Sequence, residues 1–160
     1  MQKIYKNKGG TFMKKLLVAV DGSQNSIKAA ETAIDIAKHY GSAVTFLMIA
    51  DVDMNLGHYG VFTVKNLPID HKEIIEAKNE QDRKLMDEII ANLHTEGVQT
   101  DKKILVGIPY EEIVDYAAKE NYDLIVMGRR GLSAVERFFM GSVTQRVLAN
   151  ASCSVLVVKE

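Results

Sequence analysis

Three glycines near the C-terminal end carry the spacing best suited to chemistry. Gly128-Arg129-Arg130-Gly131 is followed by nine residues, Leu132 to Met140, and then by Gly141-Ser142. The chemistry this serves is the holding of anions. Phosphate oxygens need several donors at once. Backbone N–H groups supply them where the chain comes close, and glycine permits both the approach and the unusual dihedrals. Gly141-Ser142 stands where a helix would open, and a helix start presents unbonded N–H groups and the positive end of the dipole. The Ser142 hydroxyl has two uses there, capping the helix or bonding a phosphate. Arg129 and Arg130 add charge beside the loop. Taken alone, two glycines after a strand are explained equally well as a plain turn.

The elements that must position these residues alternate. Lys15 to Val20 is a continuous apolar run, as in a strand buried on both faces, and Asp21-Gly22-Ser23 breaks it. Ile27, Ala30, Ile34 and Ala37 recur at helical spacing, with Gly41 as a stop. Ala43 to Ala50 reads as a second strand. Asp51 to about His71 shows no period and reads as a long, mobile loop. Glu73 to Glu96 reads as a long helix with Ile74, Leu85, Ile89 and Leu93 on one face and Gly97 as its stop. Thr100 to Val106, more charged, reads as a strand near a sheet edge. Pro109 opens a helix carrying Ile113, Val114 and Ala117. Asp123 to Met127 is a fourth strand, Ser142 to Asn150 a helix, and Ser154 to Val158 a last strand.

Such alternation implies parallel strands joined by right-handed helical crossovers. The fold class is therefore α/β: a doubly wound, Rossmann-like five-stranded parallel sheet with helices on both faces. In open sheets of this kind ligands bind beyond the carboxyl ends of the strands, where the winding reverses. With strand order 3-2-1-4-5, Asp21 and Gly128 face each other across that switch. A carboxylate there accepts hydrogen bonds from an adenine amine or ribose hydroxyls. The glycine loop, the helix start and Asp21 together describe a nucleotide site.

Composition narrows the alternatives. The chain has 160 residues, enough for one domain, with 47% apolar and 26% charged residues, and a net charge of -1. That balance speaks against a broad nucleic-acid surface. No apolar run is long enough to span a bilayer. Residues 1–12 are read as a flexible extension and 13–160 as the domain. No apolar signal segment follows the first residues, and Cys153 is the single cysteine, so a cytoplasmic location is expected.

These residues resemble the universal stress proteins. The resemblance runs from Met13 almost to the end. It rests on Leu17-Val18-Ala19-Val20-Asp21-Gly22-Ser23, on Asp123 to Gly128, on Gly131-Leu132-Ser133, on Phe138-Phe139-Met140-Gly141-Ser142-Val143, on Val147-Leu148, and on Cys153 to Val158. The glycine spacing is similar to that of the family's ATP-binding branch. The resemblance implies a homodimer and a set of nucleotide contacts. Ala19, Val20 and Asp21 would border the adenosine, and Val44 would meet adenine through its backbone. Met127, Gly128, Arg130 and Gly131 would line the ribose and phosphate approach. Gly141, Ser142, Val143 and Thr144 would hold the phosphates. The chain departs from the family at Ser154, where proline is common, at Met48, where histidine is common, and in its double arginine.

The implied ligand is ATP, or ADP or AMP, with or without Mg²⁺. There is no Walker lysine and no definite base, so a regulatory nucleotide-binding role is expected ahead of a slow Mg²⁺-dependent hydrolase or phosphotransferase, or of a member taking another adenosine ligand. His39, His58, His71 and His94 form no metal-ligand spacing. Cys153 has no activating partner and reads as a packing residue. Asp51 and Asp53 read as a loop terminus, with a Mg²⁺ role as the alternative. Ser154 to Val158 would be an uncovered apolar edge, which pairing with a second copy about a two-fold axis would remove.

Overall fold

A computed structural model of the chain describes residues 13–50, 71–131 and 140–159, the stretch 71–79 by its backbone alone. The expected N-terminal extension, and most of the loop from Asp51 to His71, lie outside the described residues. The elements are β1 (Lys15–Ala19), α1 (Gln24–Tyr40), β2 (Ala43–Ala50), α2 (His71–Ala91), β3 (Thr100–Val106), α3 (Pro109–Lys119), β4 (Leu124–Gly128), α4 (Ser142–Asn150) and β5 (Ser154–Val158). The sheet has five strands in the order β3-β2-β1-β4-β5, with every neighbouring pair parallel. This is the expected doubly wound sheet.

Alternation along the strands builds two cores. Leu16, Val18, Val44, Phe46, Met48, Leu124 and Val126 point to one face, where Ala29, Ala30, Ala33, Ile34 and Ala37 of α1 and Met86 and Ile89 of α2 cover them. Leu17, Leu47, Ile125 and Met127 point to the other, against Ile113 and Ala117 of α3 and Val147 of α4. The alanine stripe of α1 lets that helix approach closely. Both central strands are buried on both faces, which is why they read as unbroken apolar runs. At the amino edge, Asp123 Oδ2 accepts the N–H groups of Lys14 and Lys15 at 2.8 and 3.0 Å, tying the starts of β1 and β4 together.

The helix ends follow local chemistry. Ser23 caps α1, and Gly41 ends it in the left-handed region, its N–H bonded to Ala37 O. Pro109 is in the first turn of α3. The second helix stops at Ala91, earlier than its apolar spacing suggests. Asn92 shares its N–H between the Glu88 and Ile89 carbonyls, Leu93 bonds Ile90 O, and the Asn92 side chain takes Glu88 O, so the ladder tightens and ends. Gly97 serves a later turn, at φ +80°.

β3 and β5 are the two edges. Asp101, Lys102 and Lys103 are exposed on β3, charges that discourage further pairing. β5 has none, and Val155 to Val158 are only half-buried.

Candidate functional site

The winding reverses between β1 and β4, whose last registered pair is Ala19 and Met127. Beyond this pair the two chains diverge, leaving a crevice at the carboxyl edge. Asp21 enters it from one side. Its Oδ1 accepts the Ser23 N–H at 3.0 Å and the Ser23 hydroxyl at 2.6 Å. The Ser23 hydroxyl also lies 3.5 Å from the Arg130 carbonyl, so the strand-one turn and the glycine loop touch.

The glycines have different reasons to be glycine. A Cβ on Gly128 would stand 2.7 Å from the backbone carbonyl carbon of Asn25, so the first turn of α1 rests directly on the end of β4. A Cβ on Gly131 would fall well inside contact distance of Asp21 Oδ2, the other carboxylate oxygen. Gly128 is therefore needed for packing, and Gly131 lets the Asp21 carboxylate lie directly against the glycine loop. Gly141 is less constrained, its added Cβ lying no closer than 3.4 Å to Arg130 Cα.

Gly141 is the N-cap of α4 and offers no side chain to it. The Ser142 hydroxyl therefore does not cap the helix: Ser142 is already in its first turn, and it is exposed. The Gly141 N–H is also engaged, donating to Arg129 O at 2.9 Å. The first helical bond runs from Gln145 N–H to Gly141 O, so the first-turn N–H groups of Ser142, Val143 and Thr144 have no carbonyl within the helix. These are the donors that the helix start presents to an anion. The Thr144 side chain is buried, and its hydroxyl donates to Gly128 O at 3.1 Å. It latches α4 to the end of β4, and Thr144 can meet a ligand only through its backbone. The Arg129 N–H bonds Val158 O, so consecutive backbone bonds tie β5, the glycine loop and the start of α4 together.

Of the remaining expected residues, Val20 and Met127 have side chains in the two cores and border the crevice only by their backbone, while Ala19 packs partly against the α3–α4 core. Arg129 and Arg130 are both half-buried beside the crevice.

Val44 is corrected. It pairs with Leu16 at the amino end of β2, buried to 1% exposure, with its N–H on Gln99 O. Parallel strands bring ligands to the opposite edge, about 16 Å further along at ~3.3 Å per residue. The position that reaches that edge is Ile49, which the sequence reading passed over. Hydrogen-bond parity finds it. Even-numbered β2 residues bond β3, as Gly107 N–H to Ala50 O shows, and odd-numbered ones bond β1, as Val20 N–H to Leu47 O shows. The backbone of Ile49 thus faces β1 one step beyond that bond, where the first strand has turned away at Asp21.

The shifted titrations of Tyr116 and Cys153 lie away from the crevice. Burial, followed by a hydrogen bond with Tyr122, pushes Tyr116 up to about 12. Burial also raises the Cys153 thiol, which disfavours the thiolate. Among the described residues, no group of three or more His, Cys, Asp or Glu is placed to hold a metal ion, and no helix is long and apolar enough to cross a membrane.

This arrangement has counterparts among known proteins. The model of the universal stress protein family matches residues 13–159. The chain belongs to that family. A universal stress protein of Methanocaldococcus jannaschii, MJ0531, is 36% identical over 154 residues, which cover 95% of this chain and 85% of the relative. Among solved structures, the universal stress protein UspA of Lactobacillus plantarum superposes with a TM-score of 0.72 at 26% identity, over 91% of this chain and 97% of that one. Two others share the universal stress protein fold at lower identity. One is a universal stress protein in complex with cAMP, TM-score 0.61 and 22% identical over 93% and 98% of the two chains. The other is the Archaeoglobus fulgidus protein in complex with dAMP, TM-score 0.60 and 24% identical over 93% and 99%.

Proposed function

We propose that this universal stress protein binds ATP in the crevice between β1 and β4 and acts as a regulatory nucleotide sensor. The observation that carries the reading is the Asp21 carboxylate packed directly against Gly131, with the first-turn N–H groups of Ser142, Val143 and Thr144 at the other end of the glycine loop. A carboxylate and an anion-holding helix start thus both border the glycine loop, as a molecule with hydroxyl or amine donors at one end and phosphates at the other requires. The cAMP and dAMP complexes of related folds support an adenine nucleotide. The Ile49 backbone is suited to read the adenine edge, Asp21 the adenosine, and α4 the phosphates. Arg129 and Arg130 add positive charge. Mg²⁺ would arrive on the phosphate oxygens.

Holding, not turnover, is the proposed role, because the donors brought together stabilise phosphates without supplying an activated nucleophile. The protein would act in the cytoplasm as a homodimer paired through Ser154 to Val158, the apolar edge that carries no charge of its own. Analytical ultracentrifugation tests the pairing: a dimer that Val157→Lys turns into a monomer is expected, and a monomeric parent protein would refute it. Calorimetry with ATP, ADP, AMP and cAMP tests the binding. One site per chain, occupied below millimolar ATP, is expected; no heat with any of the four at millimolar concentration refutes the reading.

A further inference from the structure

The Asp21 carboxylate shares a set of bonds with the start of α1. Ser23 gives Oδ1 both its N–H and its hydroxyl proton, at 3.0 and 2.6 Å. The same hydroxyl oxygen accepts the Ser26 N–H at 3.2 Å, capping α1. Ser26 returns its own hydroxyl to Ser23 O at 2.9 Å and accepts the Asp21 N–H at 3.3 Å. Ser26 is buried, so this turn is rigidly seated on the helix.

Capping alone does not demand a hydroxyl at this position. Aspartate caps as well, and glycine costs only a few tenths of a kcal/mol there. Neither can donate a side-chain hydrogen to Asp21 while accepting from Ser26, whereas a hydroxyl does both. Aspartate in a turn has more than one χ1 rotamer open to it, and the two Ser23 bonds select the one that brings Oδ1 back over the start of α1. With Oδ1 fixed, Oδ2 is kept on the Gly131 side, where an added Cβ would strike it.

We infer that Ser23 is a positioning residue for nucleotide binding. It acts through Asp21, setting the direction of that carboxylate before the ligand arrives. The inference rests on the nucleotide reading of the crevice, and its first test does not need a ligand. Three-bond NMR couplings from the backbone to Asp21 Cγ report the side-chain rotamer in the free protein. A single rotamer is expected in the parent protein and in Ser23→Thr, and averaged couplings in Ser23→Gly. The ATP dissociation constant should rise about tenfold in Ser23→Gly, as for one weakened hydrogen bond to a charged group. It should stay within about threefold in Ser23→Thr.

Unchanged couplings in Ser23→Gly overturn the inference. So do averaged couplings with unchanged affinity, since Ser23 would then be only a cap. If the parent protein binds no ATP while the couplings still average, the nucleotide reading falls and the orienting of Asp21 by Ser23 stands.

Discussion

Gly131→Ala separates the site from the fold. The added methyl would lie so close to Asp21 Oδ2 that the carboxylate, or the loop, must withdraw by more than half an ångström. The carboxylate has little freedom to do so, because Oδ1 is bonded twice to Ser23. The loop at Gly131 is exposed and its backbone is not left-handed, so alanine adds no strain of its own. The displacement therefore falls on the ligand contact. Losing one hydrogen bond to a charged group costs about 1.5–3 kcal/mol, which is roughly a 10- to 150-fold rise in the dissociation constant. Titration calorimetry with ATP measures it, with a melting curve of the free protein beside it. The expected result is that weakening with the melting temperature moved by less than about 3 °C, the shift of a ΔΔG below 1 kcal/mol in a domain of this size. Affinity within twofold of the parent would refute the reading of Asp21 as a ligand contact.

Gly128→Ala should do the reverse. Its methyl meets the Asn25 backbone at 2.7 Å, and overpacking against backbone should destabilise the protein by about 1–3 kcal/mol, read from the urea midpoint. Thr144→Val removes the bond to Gly128 O inside the protein and should cost about 1–3 kcal/mol, with Thr144→Ser retaining most of it. The pH dependence follows from Tyr116. Its folded-state value is raised from 10.0 to about 12, so its contribution is complete below pH 10 and is lost as the pH rises toward 12. Tyr116→Phe should lose less stability than the parent between those values in urea titrations, and parallel curves would deny the shift.

Much of this was legible in the sequence. The unbroken apolar runs of β1 and β4 declare strands covered on both faces, and the alternation with helices declares their direction. Gly128 and Asp21 could be set opposite each other from strand order alone. Position along a strand was less legible. Every residue of β2 is apolar or small, so nothing in Val44 or Ile49 marks which end meets the crevice; only the register and hydrogen-bond parity do. The start of α4 at Ser142 was legible, but which residue caps it was not. Gly141 and Ser142 are both acceptable first residues, and only the backbone path, with Gly141 N–H turned onto Arg129 O, decides between them. Ser23 was within reach: Asp-x-Ser followed by Ser26 is the spacing of a side chain bonding the backbone two residues on, beside a helix cap.

The most direct test is to follow the backbone amide spectrum of the full chain while ATP is added. The account predicts saturable shifts at Asp21, Ile49, Gly131, Ser142, Val143 and Thr144, with Val44 and the amino edge of the sheet unmoved. Saturable shifts confined to any other surface, or no shifts at millimolar ATP, would contradict it.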